Sequence, residues 1–71
     1  MVMDYRYEYG TLDEDGNRHL LYGNETNDEE YAWDGYIRML QDIRANPGSA
    51  QYVALVKNTK HGIDVLAIAY I

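Results

Sequence analysis

The chain of 71 residues has no Cys, no Phe and a single Pro. Without Cys it has no disulfide, thiol nucleophile, iron–sulfur cluster or Cys-ligated zinc site. Long apolar runs are also missing: the most apolar one, residues 63–71, is interrupted by Asp64, whereas a membrane helix needs about 20 residues. No basic segment followed by an apolar one marks the N-terminus. We therefore expect one domain over residues 1–71, located in the cytoplasm and without membrane contact.

Positive charge is scarce and negative charge is unevenly placed. Twelve Asp and Glu against six Lys and Arg give a net charge of −6. Residues 1–34 have a balance of −8, and residues 35–71 have a balance of +2. The acidic half would repel a phosphate backbone, so we expect no direct nucleic-acid binding. A protein partner with a basic surface is favoured.

Alternating tyrosines predict the first strand. Tyr5, Tyr7 and Tyr9 alternate with charged residues, which is typical of a half-buried strand. A turn at residues 13–16 and a return strand over residues 18–22 complete a hairpin. Tyr9 then lies opposite Tyr22 or Leu21, and the pattern does not decide between these registers.

A helix is predicted after a polar connection at residues 23–27. Its N-cap is Thr26 or Asn27, since each has a Glu three residues later. The Asn-Pro-Gly segment at residues 46–48 ends it, and Gly35 would suit a close approach to a sheet. The apolar stripe of this helix consists of Trp33, Tyr36, Ile37, Leu40 and Ile43.

A second hairpin is predicted from residues 52–57 and 63–71. The fold class is therefore α+β, in the order ββαββ, with one helix packed on a mainly antiparallel four-stranded sheet. We expect these residues to be mostly buried: Tyr5, Tyr7, Trp33, Ile37, Leu40, Val53, Leu55, Val65, Ala67 and Ile68.

The last strand is apolar on both faces, and one helix covers only one face of a sheet. A second copy of the chain is the simplest cover, and it would help a domain that buries only about 60% of its unfolded surface. We therefore expect a homodimer or a higher oligomer. The residues predicted to associate are Ile63, Val65, Leu66, Ile68, Tyr70 and Ile71.

No catalytic constellation is visible. His19 and His61 have no Ser, Cys or acidic partner at a recognisable spacing. Residues 13–17 share the spacing of the first ligands of a calcium loop, but Arg18 stands at the position that requires Gly. We expect no enzymatic activity, no metal and no cofactor.

Two interpretations of the tyrosine cluster remain open. Tyr5, Tyr7, Tyr9 and Tyr22 either form a core beneath Trp33 or present a Tyr-rich surface to another protein. The first interpretation keeps their hydroxyl groups at a wet edge.

The acidic residues also have two interpretations. They either imitate phosphates and bind a basic partner, or keep the chain soluble and cap its helix. Our hypothesis is a small, acidic, non-enzymatic protein-binding module, of the kind encoded by phages and mobile elements. It would inhibit or regulate a basic, nucleic-acid-handling protein in the host cytoplasm. The alternative is a structural or assembly protein that acts through homo-oligomeric sheet packing. The predicted partner-binding residues are Asp13, Glu14, Asp15, Glu25, Asp28, Glu29 and Glu30.

Overall fold

Four strands and one helix follow one another in the order ββαββ in the computed structural model, which describes residues 3–71. The elements are β1 (Tyr5–Leu12), β2 (Arg18–Thr26), α1 (Glu29–Ala45), β3 (Tyr52–Thr59) and β4 (Gly62–Tyr70). The strands form one antiparallel sheet in the order β2-β1-β3-β4, and α1 packs on one face of it. The predicted α+β fold is confirmed, and α1 ends where residues 46–48 predict.

The first hairpin uses both predicted registers. Tyr9 lies opposite Tyr22, whereas Gly10 lies opposite Leu20. Leu21 is therefore the extra residue of a β-bulge, and the register changes by one residue across it. The bulge lies within the run of three apolar residues of β2, Leu20, Leu21 and Tyr22, and β2 is a strand at the sheet edge.

The strands β2 and β3 are longer than predicted. β2 continues to Thr26, so the predicted polar connection at residues 23–27 is wrong over most of its length. In the second hairpin, Thr59 pairs with Gly62 across a two-residue turn. The polar residues in these stretches pair through their backbones, which a reading of side-chain polarity alone does not detect.

Asp28 is the N-cap of α1, and the predicted caps Thr26 and Asn27 are wrong. The Asp28 side chain accepts a hydrogen bond from the Tyr31 N–H at 3.1 Å. Thr26 still belongs to β2, and its Oγ1 accepts from the Asp28 N–H at 3.1 Å. Asn27 is engaged elsewhere, because its Oδ1 accepts from the Asp4 N–H. Thr26 thus bonds the backbone just before the helix, whereas Asn27 ties that segment to the residue before β1.

A narrow seam of small residues lets α1 approach the sheet. A Cβ on Gly35 would lie 2.3 Å from the Tyr7 ring, which confirms the predicted close approach. Ala32 and Tyr36, one turn apart on the same face, are the buried helix residues. Ile37 was predicted to be buried but is 48% exposed. Ile37 is rotated by about 100° around the helix axis from Tyr36, so its side chain lies outside the contact between the helix and the sheet.

β3 is buried on both faces of the sheet. All side chains of residues 52–56 are fully buried. Val53 and Leu55 face α1, and the other three pack on the opposite face, called here the second face, against Leu12 and Ile68. The chain therefore covers the second face of its central strand by itself. The open edges of the sheet are β2 and β4.

The predicted core is correct at the centre of the sheet and wrong toward its edge. Four of the predicted residues are buried: Tyr5, Tyr7, Val53 and Leu55. Four are half-buried: Trp33, Leu40, Ala67 and Ile68. Ile37 and Val65 are exposed, Val65 by 44%. Val65 lies on the edge strand β4 and pairs with Val56 on the second face, which α1 does not cover.

Candidate functional site

The seven predicted partner-binding acids lie at opposite ends of the first hairpin. One end of the β1–β2 ladder pairs Leu12 with Arg18, and the other pairs Tyr5 with Thr26. Seven residue steps separate these ends, or about 23 Å along a strand. The acids thus form two clusters, not one continuous patch. The turn acids are Asp13, Glu14 and Asp15, and the helix-start acids are Glu25, Asp28, Glu29 and Glu30.

Three of these acids also hold local structure. Asp13 Oδ1 accepts from the Asn17 N–H at 2.8 Å, and this bond is the main cause of a lowered Asp13 pKa. Asp28 caps α1. Glu29 Oε1 accepts from the Tyr5 hydroxyl at 3.1 Å. The remaining four of the seven predicted acids make no side-chain hydrogen bond or ion pair within residues 3–71. They are Glu14, Asp15, Glu25 and Glu30.

A groove of about 390 Å³ runs between α1 and the first hairpin; we call it the tyrosine groove. Its lining combines three aromatic rings, two apolar side chains and three charged ones. The rings belong to Tyr7, Tyr9 and Tyr31, the apolar side chains to Met39 and Ile43, and the charges to Asp34, Arg38 and Asp42. Gly35 lies beneath it, because its missing side chain leaves room for the Tyr7 ring.

Neighbouring side chains fix the rings of the groove. The Tyr7 and Tyr31 rings lie 6.4 Å apart between centroids and are tilted by 52°. Tyr9 stacks on Tyr22 at 5.8 Å. Asn24 Nδ2 donates to the Tyr7 hydroxyl at 2.7 Å, and burial raises the pKa of Tyr7. The rings therefore have defined positions before any partner arrives.

The two interpretations of the tyrosine cluster apply to different members of it. Tyr5 and Tyr7 are buried in the core beneath α1, and Tyr9 is half-buried. Tyr22 is exposed on the edge strand β2. The sequence analysis missed Tyr31, which lies 54% exposed at the mouth of the groove. The one feature of the sequence that could have identified Tyr31 is its position one helical turn before Gly35, where the helix approaches the sheet.

On the second face, Glu8 joins a buried polar cluster. Glu8 is only 3% exposed, and its two carboxylate oxygens accept from Arg6 Nε at 2.9 Å and from the Tyr52 hydroxyl. Gly10 lies opposite Tyr52, and a Cβ there would lie 3.0 Å from the Tyr52 ring. Arg18 lies over the same ring, 5.9 Å from its centroid. Within residues 3–71, no buried side-chain nitrogen or oxygen lacks a hydrogen-bond partner, so the Glu8 carboxylate is satisfied by the chain itself.

The alternating pattern of β1 suggests an exposed Glu8, so the cluster is a correction to the sequence analysis. The available signal was the unbroken apolar run of residues 52–56, since such runs occur in strands covered on both faces. Burial, with the hydrogen bond to Glu8 as a second cause, raises the pKa of Tyr52 far above its usual value. Its hydroxyl therefore remains a donor over the whole neutral range.

His19 does have an acidic partner, contrary to the sequence analysis. Its Nε2 lies 3.2 Å from Asp13 Oδ2, at the exposed end of the first hairpin. His61 lies exposed in the turn of the second hairpin. In the part of the chain from Met3 to Ile71, no group of three His, Asp or Glu side chains is placed to hold a metal. No helix in that part is long and apolar enough to cross a bilayer.

The predicted self-association residues lie on the edge strand β4 or directly after it. Ile68 is half-buried against the second-face cluster around Ala54. The remaining members are exposed: Ile63, Val65, Leu66, Tyr70 and Ile71. Asp64 is the only charged residue of β4, and it pairs with Lys57.

Comparisons of the chain with protein-family models, with curated proteins and with solved structures give no match. Its function is therefore inferred from the placement, burial and charge of its own residues.

The buried hydroxyl of Tyr52 gives a stability prediction. Tyr52→Phe leaves one oxygen of the buried Glu8 carboxylate without its donor, which should lower the free energy of unfolding by about 1–3 kcal/mol at pH 7. Tyr70→Phe is the matched control, because Tyr70 is 67% exposed. Urea unfolding of the two variants and the wild type measures the difference.

The same pair of variants tests the raised pKa of Tyr52. Its folded pKa lies above the unfolded value of 10.0, so its contribution to stability is complete below pH 10 and is lost as the pH rises further. The wild type should lose more stability than Tyr52→Phe between pH 9 and pH 11. Equal losses, or equal stability at pH 7, would show that Tyr52 donates no important bond.

Proposed function

We propose that this chain is a non-enzymatic protein-binding module that inhibits or regulates a basic, nucleic-acid-handling protein, in the manner of a phage or mobile-element accessory protein. One observation carries the proposal: carboxylates that have no cationic partner within residues 3–71 lie at both ends of the first hairpin, which forms one side of the sheet. Glu14 and Asp15 lie at the turn, and Glu25 and Glu30 lie near the start of α1.

A partner that holds a nucleic acid carries cations for successive phosphates, and carboxylates at the two ends of the first hairpin could occupy two separate phosphate positions. The net charge of −6 would also speed association with a basic surface. The proposed mimicry thus has two anchor points, not a continuous row of charges.

Neutral substitutions in both clusters test this proposal. The wild-type chain first captures its partner from a lysate of the native host, and calorimetry then measures the affinity at 50 and 200 mM NaCl. Glu14→Gln, Asp15→Asn, Glu29→Gln and Glu30→Gln together should weaken binding at least tenfold and flatten its salt dependence. Gln at position 29 keeps an acceptor for the Tyr5 hydroxyl.

Asp64→Asn is the control, because it removes a charge from β4, at the far edge of the sheet. It should bind as the wild type does. The charge-mimicry proposal is wrong if the fourfold variant keeps the wild-type affinity and salt dependence.

A second candidate function is assembly through β4, and the exposed apolar edge favours it. An edge strand usually carries charges or Pro that prevent pairing with another chain. β4 has no Pro, and its single charge is opposite Lys57. The acidic first hairpin lies at the other side of the sheet. Two copies joined through β4 would therefore keep their acidic sides apart and form one eight-stranded sheet.

Light scattering at high concentration tests assembly. The assembly proposal expects a mass of at least twice the 8.2 kDa of one chain. Leu66→Glu should return it to one chain, whereas Leu21→Glu, at a more exposed site on the opposite edge strand β2, should leave the dimer intact. A wild-type chain that remains monomeric at millimolar concentration would rule out assembly through β4.

A further inference from the structure

The tyrosine groove has the walls of a cation-binding site. The rings of Tyr31 and Tyr7 lie 6.4 Å apart at a tilt of 52°, and both residues line the groove. Met39 and Ile43 supply apolar surface on the same groove. Its volume of about 390 Å³ lies in the usual range for small-ligand clefts, about 300–1,000 Å³. Aromatic faces attract cations, and apolar surface accommodates the methylene groups of a long basic side chain.

The charges of the groove also suit a cation. Asp34, Arg38 and Asp42 follow one another at intervals of one helical turn and line the same groove, which leaves a balance of −1. Within residues 3–71, no ion pair of Arg38 with either carboxylate is formed. Within the described residues the Asp34 carboxylate, one helical turn from Tyr31, therefore has no cationic partner and can pair with a cation that enters the groove.

Two other tyrosines of this chain each have a carboxylate at the hydroxyl group and a basic side chain over the ring. The Tyr52 hydroxyl bonds to Glu8, and Arg18 lies 5.9 Å from the ring centroid. The Tyr5 hydroxyl bonds to Glu29, and Lys57 Nζ lies 5.6 Å from that ring centroid. In each case a tyrosine beside a carboxylate carries a cation on its ring. The lining of the tyrosine groove also combines rings and carboxylates, without a hydroxyl–carboxylate bond, and residues 3–71 place no cation over its rings.

We propose that the tyrosine groove binds an arginine side chain of the basic partner, with the guanidinium against the Tyr31 ring and paired with the carboxylate of Asp34, one helical turn away. This inference rests on the proposed function, and it names the group that the partner inserts. Arginine fits better than lysine because its planar guanidinium stacks on aromatic faces and matches carboxylates with paired donors.

The test uses capped single amino acids as probes of the full chain. Nuclear magnetic resonance follows the ring protons of Tyr31 and the methyl group of Met39 during titration with N-acetyl-arginine-methylamide. We expect saturable shifts confined to the groove, at least threefold weaker binding of the lysine analogue, and no saturation with the neutral citrulline analogue. Shifts spread over the turn acids, or equal shifts with citrulline, would overturn the proposal.

Variants of exposed residues provide the matched comparison. Tyr31→Ala and Asp34→Asn should each weaken binding of the arginine probe at least fivefold. Tyr70→Ala and Asp64→Asn remove the same groups from β4 and should change nothing. The amide spectrum of each variant verifies its fold, and Tyr31→Leu replaces Tyr31→Ala if the latter is unfolded. Unchanged probe binding by both groove variants contradicts the proposal.

Failure of the groove can be distinguished from failure of the proposed function. If Tyr31→Ala binds the captured partner as tightly as the wild type while the fourfold acidic variant does not, the groove proposal fails and the charge proposal stands. If both variants bind normally, both proposals fail. A loss of at least tenfold for Tyr31→Ala, with the wild-type salt dependence retained, supports the groove as a contact separate from the acidic clusters.

Discussion

The burial of β3 on both faces is the constraint on which the rest of the fold depends. One helix covers only one face of the sheet, so the second face of Val56 and its neighbours must be closed by the strands themselves. Gly10 lies at this contact: a Cβ there would overlap the backbone carbonyl of His19 on β2 and also crowd the Tyr52 ring. The Tyr52 hydroxyl then satisfies the buried Glu8 carboxylate, which would otherwise carry a large desolvation cost.

A central β3 also separates the two surfaces of functional interest. The order β2-β1-β3-β4 puts the acidic first hairpin at one side and the nearly uncharged β4 at the other. The tyrosine groove opens between α1 and the acidic side, so its carboxylates add to the same field. A basic partner and a second copy of the chain would therefore approach from opposite directions and need not compete.

Local patterns predicted the elements well, whereas burial depended on contacts between distant residues. Alternating tyrosines identified β1, and the end of α1 followed from its Asn-Pro-Gly stop. Val65 is exposed because β4 is an edge strand, and Ile37 is exposed because α1 contacts the sheet through the narrow seam at Gly35. Neither cause can be inferred from the periodicity of the sequence. Glu8 and Tyr52 are 44 residues apart. The acids of the candidate site were identified correctly as exposed residues, but their division between two ends depends on the length of β2. The tyrosine groove was missed because Asp34, Arg38 and Asp42 follow the pattern of a solvated helix face.

Native-state amide hydrogen exchange tests the central claim, that the chain itself closes both faces of β3. The account predicts that the amides of residues 53–56 exchange only through global unfolding, with a free energy equal to that measured by urea. Those amides of β4 that point away from β3 should exchange much faster, since they lie on a free edge. Exchange of the β3 amides as fast as that of the β4 edge would contradict the account, because it would mean that the second face opens without unfolding the chain.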